Sequence, residues 1–213
     1  MQKSWNQILA LGGVAGPLVF IINTQVWGRL RPNYDQSVQF ISELGATGTL
    51  NAQYMNYFGF IPSGILLSMF GIALFSQFPK QPVSRAGALL ITLFGAGIVL
   101  AGFFSCDQGC PVQGSRESML HNQISAAAFV SSIIGLVLVG SSFIRRRQLR
   151  RLGVYTMVSA LMAATFLLLM INSVDSRHIT GTWQRLLLLA LFQWMAFVGW
   201  HMYSSKTADF RQL

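Results

Sequence analysis

The chain has 213 residues, of which 53% are hydrophobic and only 10% charged, and its formal net charge is +9. A soluble domain carries roughly 25% charged residues, so this composition excludes a soluble enzyme, a disordered chain and a coiled coil and indicates a membrane protein. At this length we expect one integral membrane domain covering residues 1–213.

Six segments are long and apolar enough to cross a bilayer, because a spanning helix needs about 20 mostly apolar residues. The predicted spans are residues 8–28, 54–78, 85–104, 120–143, 152–171 and 183–203. Lipid-exposed backbone has to satisfy its own hydrogen bonds, so these continuous apolar runs predict an all-α protein. The short connections FPKQPVSR and RRRQLRR predict antiparallel neighbours in a compact six-helix bundle. The first span is expected to be retained, since Trp27 and Arg29 stand where a signal peptide would have a small-residue cleavage site.

The connection between the first two spans carries a helical pattern of its own. In the stretch QSVQFISELG, four apolar residues fall near one helical face: Val38, Phe40, Ile41 and Leu44. Gly45 is suited to end a helix. We therefore expect a short amphipathic helix at the outer membrane interface between the first and second spans.

Basic residues are distributed unevenly between the two ends of such a bundle. One end carries ten basic residues and one acid: Lys3, Lys80, Arg85, Arg145, Arg146, Arg147, Arg150, Arg151, Lys206 and Arg211, with Asp209. The other end carries five of each: Arg29, Arg31, Arg116, Arg177 and Arg185, with Asp35, Glu43, Asp107, Glu117 and Asp175. By the positive-inside rule this predicts an inner (plasma) membrane protein with both termini in the cytoplasm. Topology and anionic headgroups account for the run IRRRQLRR, so no nucleic-acid partner is expected.

Function is expected at the outer end, where most of the acids lie. The candidate catalytic residues are Asp107, His121, Ser42 and Glu43, and the candidate ligand-binding residues are Arg31, Asp35, Asn122, Gln184 and Arg185. Asp107 follows the third span and His121 opens the fourth, so the pair could activate water or bind a metal. Alternatively these side chains form a structural network in which Arg185 neutralises Glu43 or Asp107. The sequence identifies no metal and requires no cofactor.

Two cysteines, Cys106 and Cys110, lie four positions apart in FFSCDQGCPV. In an oxidising outer compartment we expect a structural disulfide, because Gly109 and Pro111 suit a tight turn between the two cysteines. A redox-active pair is the first alternative, although the familiar redox motif has two intervening residues and this one has three. A metal site formed by both thiols and His121 is the second alternative.

Several motifs, in their order along nearly the whole chain, resemble a known family. They are RPNYDQSVQFISELGA after the first span, FFSCDQGCPV after the third, LHNQ opening the fourth and WQRLLLL opening the last. This order resembles the bacterial and archaeal multi-pass membrane family DUF998, a domain of unknown function. The positions that match its pattern are Arg31, Pro32, Asp35, Ser42, Glu43, Gly45, Asp107 and His121. The resemblance implies a membrane protein and no particular activity.

A looser similarity links the chain to membrane hydrolases of the ceramidase and progestin-receptor type. Those proteins have seven spans and hold zinc with Ser, Asp and three His. Here Ser42, Asp107 and His121 match in kind, but the paired histidines near the last span and the seventh helix are missing. This similarity therefore leaves the metal unassigned.

The sequence is compatible with three functions. The favoured one is that an outer polar cup binds a lipid headgroup, or a partner membrane protein or complex. The alternative is a membrane-embedded hydrolase or transferase that acts on lipid at the outer leaflet, with or without a metal. In it, Asp107 and His121 serve as base or metal ligands and Arg185 holds an anion. The third is a thiol–disulfide membrane protein that uses the two cysteines.

Overall fold

The computed structural model describes residues 4–78 and 80–204 and contains six helices long and apolar enough to cross a membrane. They are α1 (Trp5–Leu30), α2 (Ala52–Ser76), α3 (Pro82–Phe103), α4 (Arg116–Ile144), α5 (Arg150–Asn172) and α6 (Thr180–Ser204). The described residues contain no strand. The prediction of an all-α, six-helix membrane bundle is confirmed. Four of the charged residues on the predicted cytoplasmic side lie outside the described residues: Lys3, Lys206, Asp209 and Arg211.

Two of the spans contain irregular turns. The span α1 consists of two helical segments, Trp5–Ala10 and Gly12–Leu30. The span α2 consists of three: Ala52–Tyr54, the π-helix Met55–Phe60 and Ile61–Ser76. A single residue, Leu11, interrupts α1. Single π-helical turns are frequent at functional sites. The one in α2 begins three residues into the span, directly below the connection from α1.

The six helices form a ring in which each packs against its neighbours in sequence, and α6 closes the ring against α1. Small residues permit the close approach of the helices. A Cβ atom on Gly12 of α1, for example, would lie 2.0 Å from the carbonyl oxygen of Leu66 in α2. Among the spans α6 is the most buried and α5 the least. The helix α5 therefore stands at the periphery of the bundle.

A cluster of phenylalanines fills the centre of the ring. The ring centroid of Phe20 lies 5.6 Å from that of Phe60 and 5.2 Å from that of Phe192. Phe94 joins the cluster at 6.4 Å from Phe192 and 6.2 Å from Phe129. These contacts connect α1, α2, α3, α4 and α6 and leave α5 outside the aromatic core.

Polar side chains in the middle of the bundle fasten α5 to α6. Gln193 donates from Nε2 to the Ser159 hydroxyl oxygen at 2.9 Å and accepts from the Tyr155 hydroxyl. Trp194 donates from Nε1 to the Thr156 hydroxyl oxygen at 2.9 Å. Interhelical hydrogen bonds of this kind join helices in the membrane, where apolar side chains gain little from one another relative to lipid.

Three connections meet at one end of the bundle, here called the loop end: residues 31–51, 104–115 and 173–179. The predicted short helix between the first two spans lies there, but it differs from the expectation. It is a 3₁₀-helix over Ile41–Gly45 alone, instead of an amphipathic helix over the whole of QSVQFISELG. It is packed inside the loop end, since Ile41, Glu43 and Leu44 are at most 3% exposed. The segment is inserted between the ends of the spans because its polar groups find partners there.

Candidate functional site

The connection between α1 and α2 is held against the beginning of α6. The first backbone N–H groups of a helix have no partner within the helix, and the connection supplies an acceptor: Gly181 N–H donates to the Val38 carbonyl oxygen at 3.1 Å. In return, Gln184 Oε1 of α6 accepts from the Ile41 N–H at 2.6 Å. The position of the 3₁₀-helix is therefore set by the first turns of α6.

Glu43 is almost fully buried, and three donors satisfy its carboxylate. They are the Phe40 N–H at 3.1 Å, Gln39 Nε2 at 2.8 Å and Arg177 Nη1 at 3.0 Å. Arg177 also donates from Nη2 to the Gly109 carbonyl oxygen at 2.6 Å. Its guanidinium carbon lies 4.7 Å from the centre of the Phe40 ring. Since Glu43 follows α1, Gly109 follows α3 and Arg177 follows α5, one guanidinium joins all three connections of the loop end.

This partner of Glu43 differs from the one that the sequence predicted. The sequence pointed to Arg185 as the residue that neutralises Glu43 or Asp107, whereas Arg177 pairs with Glu43. Arg177 stands in a polar turn without a recognisable motif, and its φ of +53° is in the left-handed region, which is uncommon for residues other than glycine. The one sequence signal for Arg177 was the charge balance of this end, where five basic residues accompany five acids.

Arg185 binds neutral acceptors. It donates from Nη1 to the carbonyl oxygens of Gln39 at 3.1 Å and Gly181 at 2.9 Å, and from Nη2 to the Tyr34 hydroxyl at 2.7 Å. Burial raises the pKa of Tyr34, and the Arg185 charge offsets part of this effect. Arg185 forms no ion pair with any described carboxylate. It therefore fastens the connection to α6 through neutral acceptors and without an ion pair to a described carboxylate.

Asp107 and His121 have separate partners. Asp107 accepts from the Ser115 N–H at 2.6 Å and from the Ser115 hydroxyl at 2.8 Å, at the turn that precedes α4. Both bonds favour the ionised form and hold the pKa of the Asp107 carboxyl below its usual value. His121 Nδ1 donates to the Phe104 carbonyl oxygen at 2.7 Å. Within the described residues no hydrogen bond or ion pair joins the two, so the geometry offers no support for the pair that the hydrolase interpretation requires.

Cys106 and Cys110 form a disulfide, which confirms the pairing expected from their spacing. Both residues are buried. The bridge also carries contacts to its surroundings, since the Thr47 N–H donates to the Cys106 carbonyl oxygen at 2.9 Å. One residue further, Asn122 Nδ2 of α4 donates to the Pro111 carbonyl oxygen at 2.9 Å. In the part of the chain that the structure describes, no three His, Cys, Asp or Glu side chains form a group that could hold a metal ion.

Two further candidates, Arg31 and Asp35, support the connection after α1 in different ways. The Arg31 side chain donates to the Glu43 carbonyl oxygen and so braces the 3₁₀-helix. Asp35 is exposed and accepts from the Ser37 N–H at 2.8 Å and the Ser37 hydroxyl at 2.6 Å. These bonds lower the pKa of Asp35. The two side chains close separate turns and do not share a site.

Asn56 is a buried polar residue that the sequence analysis missed. It lies in the π-helix of α2 and donates from Nδ2 to the Gly45 carbonyl oxygen and to the Ser105 hydroxyl oxygen, both at 3.0 Å. Its Oδ1 is buried and has no hydrogen-bond partner. An Asn among apolar residues near the start of a span was the available signal. Asn56 ties α2 to the connections that follow α1 and α3.

A small chamber with a volume of about 50 Å³ lies beneath Ile41–Gly45. Three predicted site residues line it near the loop end: Ser42, His121 and Gln184. Its deeper wall consists of aromatic rings from four spans: Phe20, Phe60, Phe94 and Phe129. The structure thus brings together one residue each from the first connection, α4 and α6, above an apolar floor.

The chamber continues into a cleft between α4 and α5 that has a volume of about 270 Å³. Ser42, His121 and Gln184 line both spaces. Much of the remaining wall is apolar, and it includes Val130 of α4 and Ile171 of α5, which are 46% and 56% exposed. Because these exposed residues belong to spanning helices, the cleft opens sideways, toward lipid.

A second cleft, with a volume of about 210 Å³, lies between α1 and α6. It shares Phe20, Ile41 and Leu188 with the chamber, so the two clefts approach the chamber from different sides of the bundle. Arg185 lines this second cleft at its loop end, and the exposed Leu189 lies farther along α6.

Comparison with known proteins identifies one family. A family model described as a protein of unknown function (DUF998) matches residues 14–201, which is most of the chain. The four motifs on which the resemblance was based all lie within this range. Comparisons with curated proteins and with solved structures gave no match.

Proposed function

This multi-pass membrane protein belongs to the DUF998 family, and we propose that it binds a membrane lipid in the cleft between α4 and α5. An acyl chain lies along the apolar wall of the cleft, and the polar part of the lipid reaches Ser42, His121 and Gln184. The observation that carries the proposal is the connection of a lipid-facing apolar cleft to a buried polar end. The cleft volume of about 270 Å³ is close to the lower end of the range of about 300–1,000 Å³ that is usual for ligand sites.

Two polar groups at the inner end of the cleft have no partner in the described residues. Gln184 uses Oε1 to accept from Ile41, while its Nε2 donates to no described acceptor. The Ser42 hydroxyl likewise has no described hydrogen-bond partner. Ester carbonyl and phosphate oxygens are hydrogen-bond acceptors, so a lipid supplies the groups that these donors need.

The test is the lipid content of the detergent-purified protein, measured by mass spectrometry of the extracted lipid. Ala126 of α4 lines the cleft, and Ala126→Trp places a large side chain in it. Ala127 is exposed as well but does not belong to this cleft, so Ala127→Trp is the matched control. We expect the wild type and Ala127→Trp to retain lipid and Ala126→Trp to retain severalfold less. Equal retention by all three proteins, or a co-purifying membrane protein in place of lipid, would overturn the proposal.

The loop end, in the same proposal, faces the outside of an inner (plasma) membrane. The opposite end of the described chain carries Lys80, Arg85 and five arginines within residues 145–151, with no described acid, as the positive-inside rule requires of a cytoplasmic face. Labelling of intact cells with an impermeant thiol reagent tests this. Gln113→Cys at the loop end is expected to react and Arg147→Cys is not. The reverse pattern would contradict the orientation.

A further inference from the structure

We infer a second and separate site, in which the cleft between α1 and α6 binds an anionic phospholipid with its phosphate beside Arg185. This inference does not rest on lipid binding between α4 and α5, since Arg185 belongs to neither the chamber nor that first cleft. It rests on an arginine without an ion pair in the described residues, on a second arginine at the same tyrosine ring, and on the form of the cleft that Arg185 lines.

The Arg185 guanidinium has an incomplete set of partners. Its three hydrogen bonds go to two carbonyl oxygens and one hydroxyl, and its Nε is buried without a partner. No described carboxylate forms an ion pair with it. The Arg185 charge contributes to the lowered pKa of Asp35, as a smaller cause than the hydrogen bonds from Ser37. A charged side chain at the membrane boundary is stabilised by an opposite charge, and the described protein leaves that place to a ligand.

A second arginine, Arg31, lies close to the same aromatic ring as Arg185. The guanidinium carbons of Arg31 and Arg185 lie 5.6 Å and 5.7 Å from the centroid of the Tyr34 ring. Arg31 also lacks an ion pair with any described carboxylate. The carboxylate of Glu43, the buried acid of this end, is already paired with Arg177. Two positive charges around one tyrosine repel each other, and a bound anion relieves that repulsion.

The cleft beside Arg185 selects the kind of anion. Its wall away from the arginine is apolar and includes Ile21 of α1 and Leu189 and Phe192 of α6. Ile21 and Leu189 are exposed on the outer surface of spanning helices, so the cleft opens toward acyl chains. A ligand with an anionic head and an apolar body satisfies both parts of the site. An anionic phospholipid has this form, whereas a free phosphate leaves the apolar wall unused.

The test compares lipid selection in bilayers of known composition. The full chain is reconstituted with equal amounts of phosphatidylglycerol and phosphatidylcholine and extracted in mild detergent, and the retained lipids are quantified by native mass spectrometry. We expect phosphatidylglycerol to be enriched on the wild type. Arg185→Gln is expected to lower the enrichment about fivefold, the factor that corresponds to one basic residue at a membrane surface. Arg185→Lys, which keeps the charge, is expected to retain most of it.

A pair of variants at neighbouring positions keeps the test decisive should Arg185→Gln fail to fold. Ile21→Trp fills the cleft without removing any contact of Arg185, whereas Ile22 is exposed and does not belong to the cleft. Ile21→Trp is expected to lose the enrichment and Ile22→Trp to keep it. Absence of enrichment on the wild type, or equal enrichment on the two tryptophan variants, would overturn the inference. Ala126→Trp is expected to leave the enrichment unchanged, which separates this site from the one between α4 and α5.

Discussion

Arg177 and Glu43, which are 134 positions apart in the sequence, form an ion pair with an N–O distance of 3.0 Å. The Glu43 side chain is 3% exposed and that of Arg177 is 31% exposed. Because Arg177 also binds the carbonyl oxygen of Gly109, the pair holds the connections after α1, α3 and α5 to one another. The three connections therefore form one hydrogen-bonded unit above the chamber. A substitution of Arg177 or Glu43 is expected to affect all three connections.

Arg177→Met is expected to lower the free energy of unfolding in detergent by about 2–3 kcal/mol, because it leaves the buried Glu43 carboxylate without its cation. Arg177→Met combined with Glu43→Gln should cost less than the sum of the single changes, since the two residues interact directly. The control is His178→Ala, at an exposed neighbour, with an expected effect within about 0.5 kcal/mol. Equal stability of Arg177→Met and His178→Ala would contradict the assigned role.

Gly181→Ala is expected to destabilise the protein by about 1–3 kcal/mol, the usual cost of overpacking. A Cβ atom at this position would lie 2.3 Å from the carbonyl oxygen of Gln39 and 2.6 Å from that of Gln36. These are backbone atoms and cannot turn away as a side chain can. Gly28→Ala is the control, because its Cβ meets nothing closer than Tyr34 Cε1 at 3.3 Å and alanine favours a helix. Thermal unfolding of the two variants checks the prediction, which fails if Gly28→Ala is the less stable.

The disulfide predicts a specific pattern of alkylation. When the protein is denatured without reductant, we expect no alkylation of Cys106 or Cys110, because both sulfur atoms are in the bridge. When reductant is added first, both cysteines should be alkylated, and mass spectrometry counts the added groups. Denaturation removes the protection that burial provides, so alkylation of the unreduced denatured chain would show free thiols and contradict the bridge.

The hydrogen bonds between Ser115 and Asp107 are expected to contribute to stability and to be lost in acid. Its folded-state pKa is lowered by the N–H and hydroxyl of Ser115 from the ordinary value of 3.8. A lowered pKa means that the contribution is present above the ordinary value and is lost as the pH falls below it toward the folded-state pKa. The difference in melting temperature between wild type and Asp107→Asn should therefore be constant near neutral pH and shrink below about pH 4. A difference that grows on acidification would contradict the Ser115 contacts.

The number of spans and the membrane class follow from local properties of the chain. Each span is a continuous apolar run, and its hydrophobicity does not depend on which neighbour it packs against, so the sequence predicts all six. The ends of the spans were less accurate, since α4 begins at Arg116, four residues before the predicted start at 120. Polar residues at helix ends add turns that hydropathy does not register. The disulfide could also be predicted from the sequence, because its two cysteines belong to one tight turn.

The partners at the loop end depend on tertiary structure. Arg177 and Arg185 have the same charge and lie at the same end of the bundle. Nothing in the residues next to them in the sequence indicates which one forms the ion pair with Glu43. The answer depends on where the turn after α5 lies relative to Ile41–Gly45, a segment that the sequence placed on the membrane surface. The clefts beside α5 and α1 likewise arise from how six apolar helices leave space between them. Hydropathy gives the length and the burial tendency of each element, whereas contacts between residues more than a hundred positions apart are decided only when the whole ring is packed.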